Sequence, residues 1–254
     1  MTHDGNHDGD HDGAAHARSF GAAAGAYARA RPGYPDDAVD FLVGGARRVL
    51  DLGAGTGKFT ASLVARGIDV VAVEPSTRML AELTATLDVE AHEGSAEATG
   101  LPDASVDAVV VAQAWHWVDP ARAVPEVARV LRPGGTLGLV WNVRDESVDW
   151  VARVWAVAQR GSEYEMRASA ESVGAPFGPG EVFTTRFQHL TDRAGILDLV
   201  ASRSYVIVLP QEEKAELLAE VGRLLDADFP GEREIRLPYL THCTRFTLPS
   251  SADH

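Results

Sequence analysis

VLDLGAGTGKFT, residues Val49–Thr60, is the stretch from which the architecture can be read. A short apolar run carrying Asp51 breaks into Gly53, Gly55 and Gly57 at alternate positions, and Lys58-Phe59-Thr60 follows. A strand that turns through glycines into a helix brings backbone close to a nucleotide, because no Cβ stands in the way. Three loops of this kind are known. A phosphate-binding P-loop needs Gly five places before its Gly-Lys and a hydroxyl after it; here Leu52 and Phe59 occupy those places. The dinucleotide fingerprint Gly-x-Gly-x-x-Gly is met by Gly53 and Gly55, but Lys58 replaces the third glycine that lets the helix pack close, which weakens this reading. Gly-x-Gly-x-Gly after an acid is met in full.

Working outward, the pattern alternates. RRVLDL reads as a buried strand, KFTASLVARG as a helix stopped by Gly67, and IDVVAVE as a second strand ending in Glu74. Ser76 is placed to cap a helix carrying Met79, Leu80, Leu83 and Leu87. VEAHEG is a weak third strand, VDAVVVAQA a fourth, apolar on both faces, and Asp119-Pro120 open a helix that runs to about Leu131. RPGG is a turn before a fifth strand, TLGLVWNV. Such alternation predicts an α/β fold, a doubly wound and mostly parallel sheet with helices on both faces. Beyond it, Trp150, Val151, Val154, Trp155 and Ala158 mark a helix, and EVFTTRFQHL a strand. Ile196, Leu199 and Val200 mark a short helix, and Leu217, Leu218, Val221, Leu224 and Leu225 a longer one. THCTRFTL is the final strand, bringing the sheet to seven with a C-terminal helical insertion.

The chain has 254 residues, 45% hydrophobic content and a net charge of -14, which fits one domain over residues 19–254. Within it, 19–46 form N-terminal helices, 47–142 the nucleotide-binding core, and 143–254 the completion of the sheet with the insertion. So acidic a chain lacks the basic footprint for nucleic acid or an anionic membrane. No apolar run approaches the ~18 residues of a membrane span. Cys243 is the single cysteine, so no internal disulfide is expected, and a cytoplasmic location is the default expectation. Residues 1–18, rich in His, Asp and Gly, read as a disordered tail. Its partial calcium-loop spacing lacks the required Glu, with Ala15 and Ser19 in those positions, and its three His-Asp pairs leave weak transition-metal binding as the minor alternative to a solvated tail with no metal site.

The glycine loop, with Glu74 at the end of the next strand 21 residues after Gly53, resembles the class I S-adenosylmethionine-dependent methyltransferases, specifically the small-molecule methyltransferase type 11 group. A carboxylate at that strand end can accept both hydroxyls of a ribose. EGSAEATGLPDASVDAVV and AQAWHWVDPARAVPEVARVLRPGG are similar to further segments of that family. The resemblance implies a Rossmann-like methyltransferase fold and S-adenosylmethionine as cosubstrate, held by Asp51, Gly53, Ala54, Gly55, Gly57, Glu74, Pro75, Ser95, Ala96 and Gln113. It also implies an N-terminal helix closing over the cosubstrate, with Phe20, Tyr27 and Arg31 facing the site; Tyr27 and Arg31 are expected to touch the cosubstrate and Phe20 the acceptor.

A small-molecule acceptor then belongs at the strand C-terminal ends, near Trp115, Trp117, Trp141 and Asn142, with Arg203 and Tyr205 of the insertion on the substrate side. His116 is placed to act as a base toward a hydroxyl acceptor. A carboxylate acceptor needs no base and would be oriented by an arginine such as Arg144, Arg203 or Arg31. O-, carboxyl- and N-methylation stay open, as does the oligomeric state. A nicotinamide-dependent oxidoreductase and a non-catalytic metabolite binder are the alternatives.

Overall fold

The computed structural model describes residues 31–160 and 173–250. The tail over 1–18 and the predicted contacts Phe20 and Tyr27 lie outside the described residues.

The expected alternation is present. Helix α1 (Asp36–Val43) precedes β1 (Arg48–Leu52), α2 (Lys58–Val64), β2 (Asp69–Glu74), α3 (Thr77–Thr86) and β3 (Glu90–Glu93). Then come β4 (Val106–Ala112), a 3-10 turn at Trp115–Trp117, α4 (Pro120–Val130) and β5 (Leu131–Arg144). The C-terminal part contributes α5 (Asp149–Ala158), β6 (Glu181–Thr191), α6 (Arg193–Ala201), α7 (Ser204–Ile207), α8 (Gln211–Asp228) and β7 (Ile235–Thr247). Helix ends obey their caps: Ser76 Oγ accepts from Met79 N at 3.4 Å, and Asp119 Oδ1 from Ala121 N at 3.0 Å.

The strands form one seven-stranded sheet in the order β3-β2-β1-β4-β5-β7-β6. Only β7 runs against its neighbours, β5 and β6. The central strands alternate between two cores, as the two-residue pleat requires. Leu50, Leu52, Val71, Val73, Val109 and Val111 face α4, while Val49, Val70, Ala108 and Val110 face α1 and α2. A third core joins the insertion helices to one end of β7 through Trp155, Leu199, Val221, Leu225, Leu237 and Tyr239.

Two boundaries differ from expectation. RPGG lies inside β5, where Gly134 has φ +79° and the pairing jumps from Val106–Leu131 to Ala108–Thr136. The turn is thus a bulge of the strand. The final strand begins at Ile235, well before Thr241. Its first residues pair with β6 and cover the insertion core, and Pro238 hides the alternation.

Candidate active site

The sheet order reverses between β1 and β4, and ligands in open α/β sheets bind in the crevice at such a switch point. Gly53 closes one wall there; a Cβ on it would come within 3.1 Å of Ala114 Cβ, just beyond β4. Gly53, Gly55 and Gly57 all have positive φ, at +73°, +58° and +84°. Gly57 caps α2 against Leu83 and Leu87, whereas a Cβ on Gly55 would meet no atom within 4 Å. The loop therefore turns an uncluttered backbone surface toward the crevice.

Two buried acids lie under this loop. Glu74 accepts from Gly55 N at 2.8 Å through Oε2 and from Ser76 N at 2.9 Å through Oε1. It thereby fixes the glycine turn relative to the start of α3. Burial raises its pKa, and the two backbone donors oppose that shift. Asp51 is fully buried. Its Oδ2 accepts from Thr60 Oγ1 at 2.6 Å, while Oδ1 has no hydrogen-bond partner. Desolvation, with a lesser contribution from the Glu74 charge, pushes its pKa up to about 7. A buried carboxylate oxygen without a donor is costly unless a cationic or N–H group completes it.

Beside them, Ser95 and Ala98 exchange backbone hydrogen bonds at 3.2 Å, and Ala96 is buried. The Ser95 side chain is bonded to Glu97, whose Oε1 also accepts from Asp119 N at 3.0 Å. Pro75 is exposed at the crevice rim. Gln113 holds the left-handed region with φ +60°, an uncommon conformation for a residue with a side chain. Its N donates to Val140 O at 2.8 Å and its Nε2 to Asn142 O at 3.1 Å, tying the end of β4 to β5.

A family model for the methyltransferase domain matches residues 50–139. An uncharacterised methyltransferase of Mycobacterium tuberculosis is 52% identical over 242 residues, covering 91% of this chain and 96% of that protein. The chain belongs to the class I S-adenosylmethionine-dependent methyltransferases. An uncharacterised methyltransferase of Schizosaccharomyces pombe shares 35% identity, covering 82% of this methyltransferase and 87% of its own length. A solved structure described as a type II methyltransferase from Anaeromyxobacter dehalogenans superposes with a TM-score of 0.68 at 28% identity, covering 87% of this chain and 99% of that one. Membership sets aside the nicotinamide alternative, in keeping with Lys58 in the place of the third fingerprint glycine.

The methyltransferase places the residues predicted to meet an acceptor unequally. Trp115 and Trp141 are buried in the core facing α4, and Trp117 stands 46% exposed at the rim. The Asn142 side chain braces the fold. Its Nδ2 donates to Gly33 O at 2.9 Å and its Oδ1 accepts from Thr241 Oγ1 at 2.7 Å. His116 lies at the surface but is crowded by protein atoms, and its ring is 4.6 Å from that of Trp117. Desolvation first, and the Arg31 charge second, lower its pKa to about 4, so the imidazole is neutral at pH 7.

Arg31 opens the segment leading to α1. That segment is fastened by Lys58 Nζ, which donates to Arg31 O at 2.5 Å, by Asn142, and by the edge-on contact of Tyr34 with Phe59 at 5.0 Å. Arg144 is buried at the end of β5, its guanidinium carbon 4.7 Å from the centre of the Trp155 ring. Arg203 and Tyr205 lie half-buried around the start of α7.

Sequence reasoning missed Thr60, Trp155 and Tyr239 as neighbours of functional groups. Thr60 faces Asp51 only because α2 folds back onto β1. Tyr239 precedes the stretch that alternates like a strand. Among the described residues, no group of His, Cys, Asp and Glu is arranged to hold a metal, and no helix is long and apolar enough to cross a membrane. A shallow depression of about 390 Å³ at the opposite end of the sheet is lined by Arg47, Asp107 and Arg245, among others. There Asp107 accepts from the backbone N–H groups of Arg47 and Arg48 and pairs with Arg132, and Arg245 pairs with Glu181.

Proposed function

We propose that this methyltransferase transfers the methyl group of S-adenosylmethionine to a small-molecule acceptor, with the cosubstrate in the crevice between β1 and β4. One observation carries the assignment. A buried carboxylate, Glu74, holds the glycine turn from beneath, beside a second buried carboxylate, Asp51, that has one oxygen without a donor. S-adenosylmethionine brings a methyl group already activated by the positive charge on sulfur.

Each Glu74 oxygen accepts one N–H and keeps a further lone pair for a ribose hydroxyl. Asp51 Oδ1 suits the cationic amino-acid end of the cosubstrate, whose charge favours the ionised carboxylate. Gly53, Ala54, Gly55 and Gly57 admit the ligand to the backbone, with Pro75, Ser95, Ala96 and Gln113 at its flanks. The Ser95 hydroxyl already serves Glu97, which leaves backbone groups of Ser95 and Ala96 to meet the base. Arg31, with Phe20 and Tyr27 before it, is assigned to the segment that excludes water from the sulfonium. His116 would be a weak base, being neutral but reluctant to take a proton. A cytoplasmic, small-molecule enzyme belongs to the same reading.

Calorimetry with S-adenosylhomocysteine tests it. The wild-type chain binds, and Glu74→Gln weakens binding by about tenfold to a hundredfold, the worth of charge-assisted hydrogen bonds. Absence of binding at millimolar ligand by a folded wild-type protein defeats the assignment.

A further inference from the structure

The end of β5 that meets the insertion core holds a buried charge to which methyl transfer itself assigns no role. Arg144 is 7% exposed, and its Nε and Nη1 are buried without a hydrogen-bond partner. Its third nitrogen lies 3.8 Å from Glu146 Oε1, beyond hydrogen-bond range, and the Glu146 side chain is 47% exposed. The neighbouring Asp145 is engaged by Ser147 and Arg186.

Arg144 does not stand alone. Tyr239, directly opposite it in the β5–β7 register, is 2% exposed with its hydroxyl unpartnered. Trp155, whose ring the guanidinium covers, also has an indole N–H without an acceptor. Arg31 lies near enough for its positive charge to act on Arg144, and the Tyr205 hydroxyl acts on it with the opposite sign.

A buried guanidinium with unsatisfied edges, beside a buried hydroxyl and a buried indole N–H, is a collection of donors lacking an acceptor. Left so, it is costly to the fold. A planar anion is the group that matches it, because a carboxylate accepts from a guanidinium through two parallel hydrogen bonds. We propose that Arg144, with Tyr239 and Trp155, binds a carboxylate of the methyl acceptor, so that the substrate is a small organic acid. The inference rests on the cosubstrate reading above. An ionised acid also suits a cleft whose histidine is a poor base.

Calorimetry on wild-type protein separates the two claims. S-adenosylhomocysteine is titrated first, alone; if it fails to bind, the cosubstrate reading falls and this inference with it. The loaded protein is then titrated with succinate, tricarballylate and phenylacetate, and with the corresponding primary amides. At least one acid is expected to bind, with its amide weaker by about tenfold or more. Arg144→Gln is expected to weaken that acid by about tenfold or more while S-adenosylhomocysteine binds within about twofold of wild type. The free variant is also expected to melt a few degrees higher than wild type, since a buried unpaired charge has been removed.

If Arg144→Gln does not fold, wild-type nitrogen–proton spectra give the answer. The indole signal assigned by its loss in Trp155→Phe shifts with the acid and not with the amide. Binding of S-adenosylhomocysteine with no acid bound, equal binding of acid and amide, or undiminished acid binding by Arg144→Gln overturns the inference. A lower melting point with acid binding unchanged assigns Arg144 to the fold instead.

Discussion

Asp51 reads in the sequence as the acid before the glycine loop, and in the fold it is a fully buried group with one oxygen lacking a donor. Its pKa of about 7 in the native state lies well above the ~3.9 of an unfolded chain. Between those values the native protein keeps a proton that the unfolded chain has released. This contribution to stability is therefore complete below about pH 4, falls as pH rises, and is gone above about pH 7. Asp51→Asn is expected to flatten that decline, measured as urea midpoints at pH 5 and pH 8. Glu74, also raised by burial, acts with the same sign, so the informative quantity is the difference between wild type and variant. A cationic ligand favours the ionised form. Affinity for S-adenosylhomocysteine should accordingly climb toward pH 7, by at most about tenfold per unit, and lose most of that slope in Asp51→Asn. An unchanged slope in the variant would remove Asp51 from the site.

The turn from β1 to α2 separates two uses of glycine that look identical in the sequence. Gly57 has φ +84°, and a Cβ on it would lie 2.9 Å from Leu83 Cγ and from Leu87 Cδ1. Gly57→Ala is expected to cost about 1–3 kcal/mol from overpacking against α3, with about 1–2 kcal/mol more for the left-handed backbone. Gly55 meets nothing within 4 Å, so Gly55→Ala bears only the backbone penalty of about 1–2 kcal/mol. Its methyl projects into the space assigned to the cosubstrate. Denaturation and S-adenosylhomocysteine titration of both variants should rank them oppositely: Gly57→Ala worse in stability, Gly55→Ala worse in binding. The same rank in both measurements would contradict the division.

At the scale of the molecule, Asn142 joins three parts of the chain that are far apart in sequence. Its amide reaches Gly33, 109 residues away, and Thr241, 99 residues away, and its carbonyl receives Gln113. Asn142→Leu keeps the volume but leaves Thr241 and the Gly33 carbonyl without that partner, at about 1–3 kcal/mol for each buried group so deprived. For a chain of this size each kcal/mol lowers the melting temperature by about 2–4 °C. Thermal melts should show the drop, and S-adenosylhomocysteine should bind more weakly because the segment at residues 31–35 loses one of its fastenings. A melting temperature within a degree of wild type would mean that water replaces the amide.

Local pattern alone determined the strand–helix alternation, the glycine turn, the acid one strand away and the caps at Ser76 and Asp119. Each of these depends on residues close in sequence, where pleat, helical period and backbone sterics act directly. Tertiary structure alone decided which donors and acceptors ended without partners. That Asp51 has one oxygen without a donor is visible only once α2 folds back and supplies Thr60 to the other. Arg144 is one of three candidate arginines in the sequence, and it is set apart only when β7 places Tyr239 opposite it and α5 brings Trp155 beneath it. Burial and pairing are properties of meetings between distant segments, and no periodicity within a segment records them. For that reason the glycine turn and the acid one strand over were legible from residues 49–74, while the candidates named for the acceptor could be told apart only by the burial and pairing that the tertiary structure gives them.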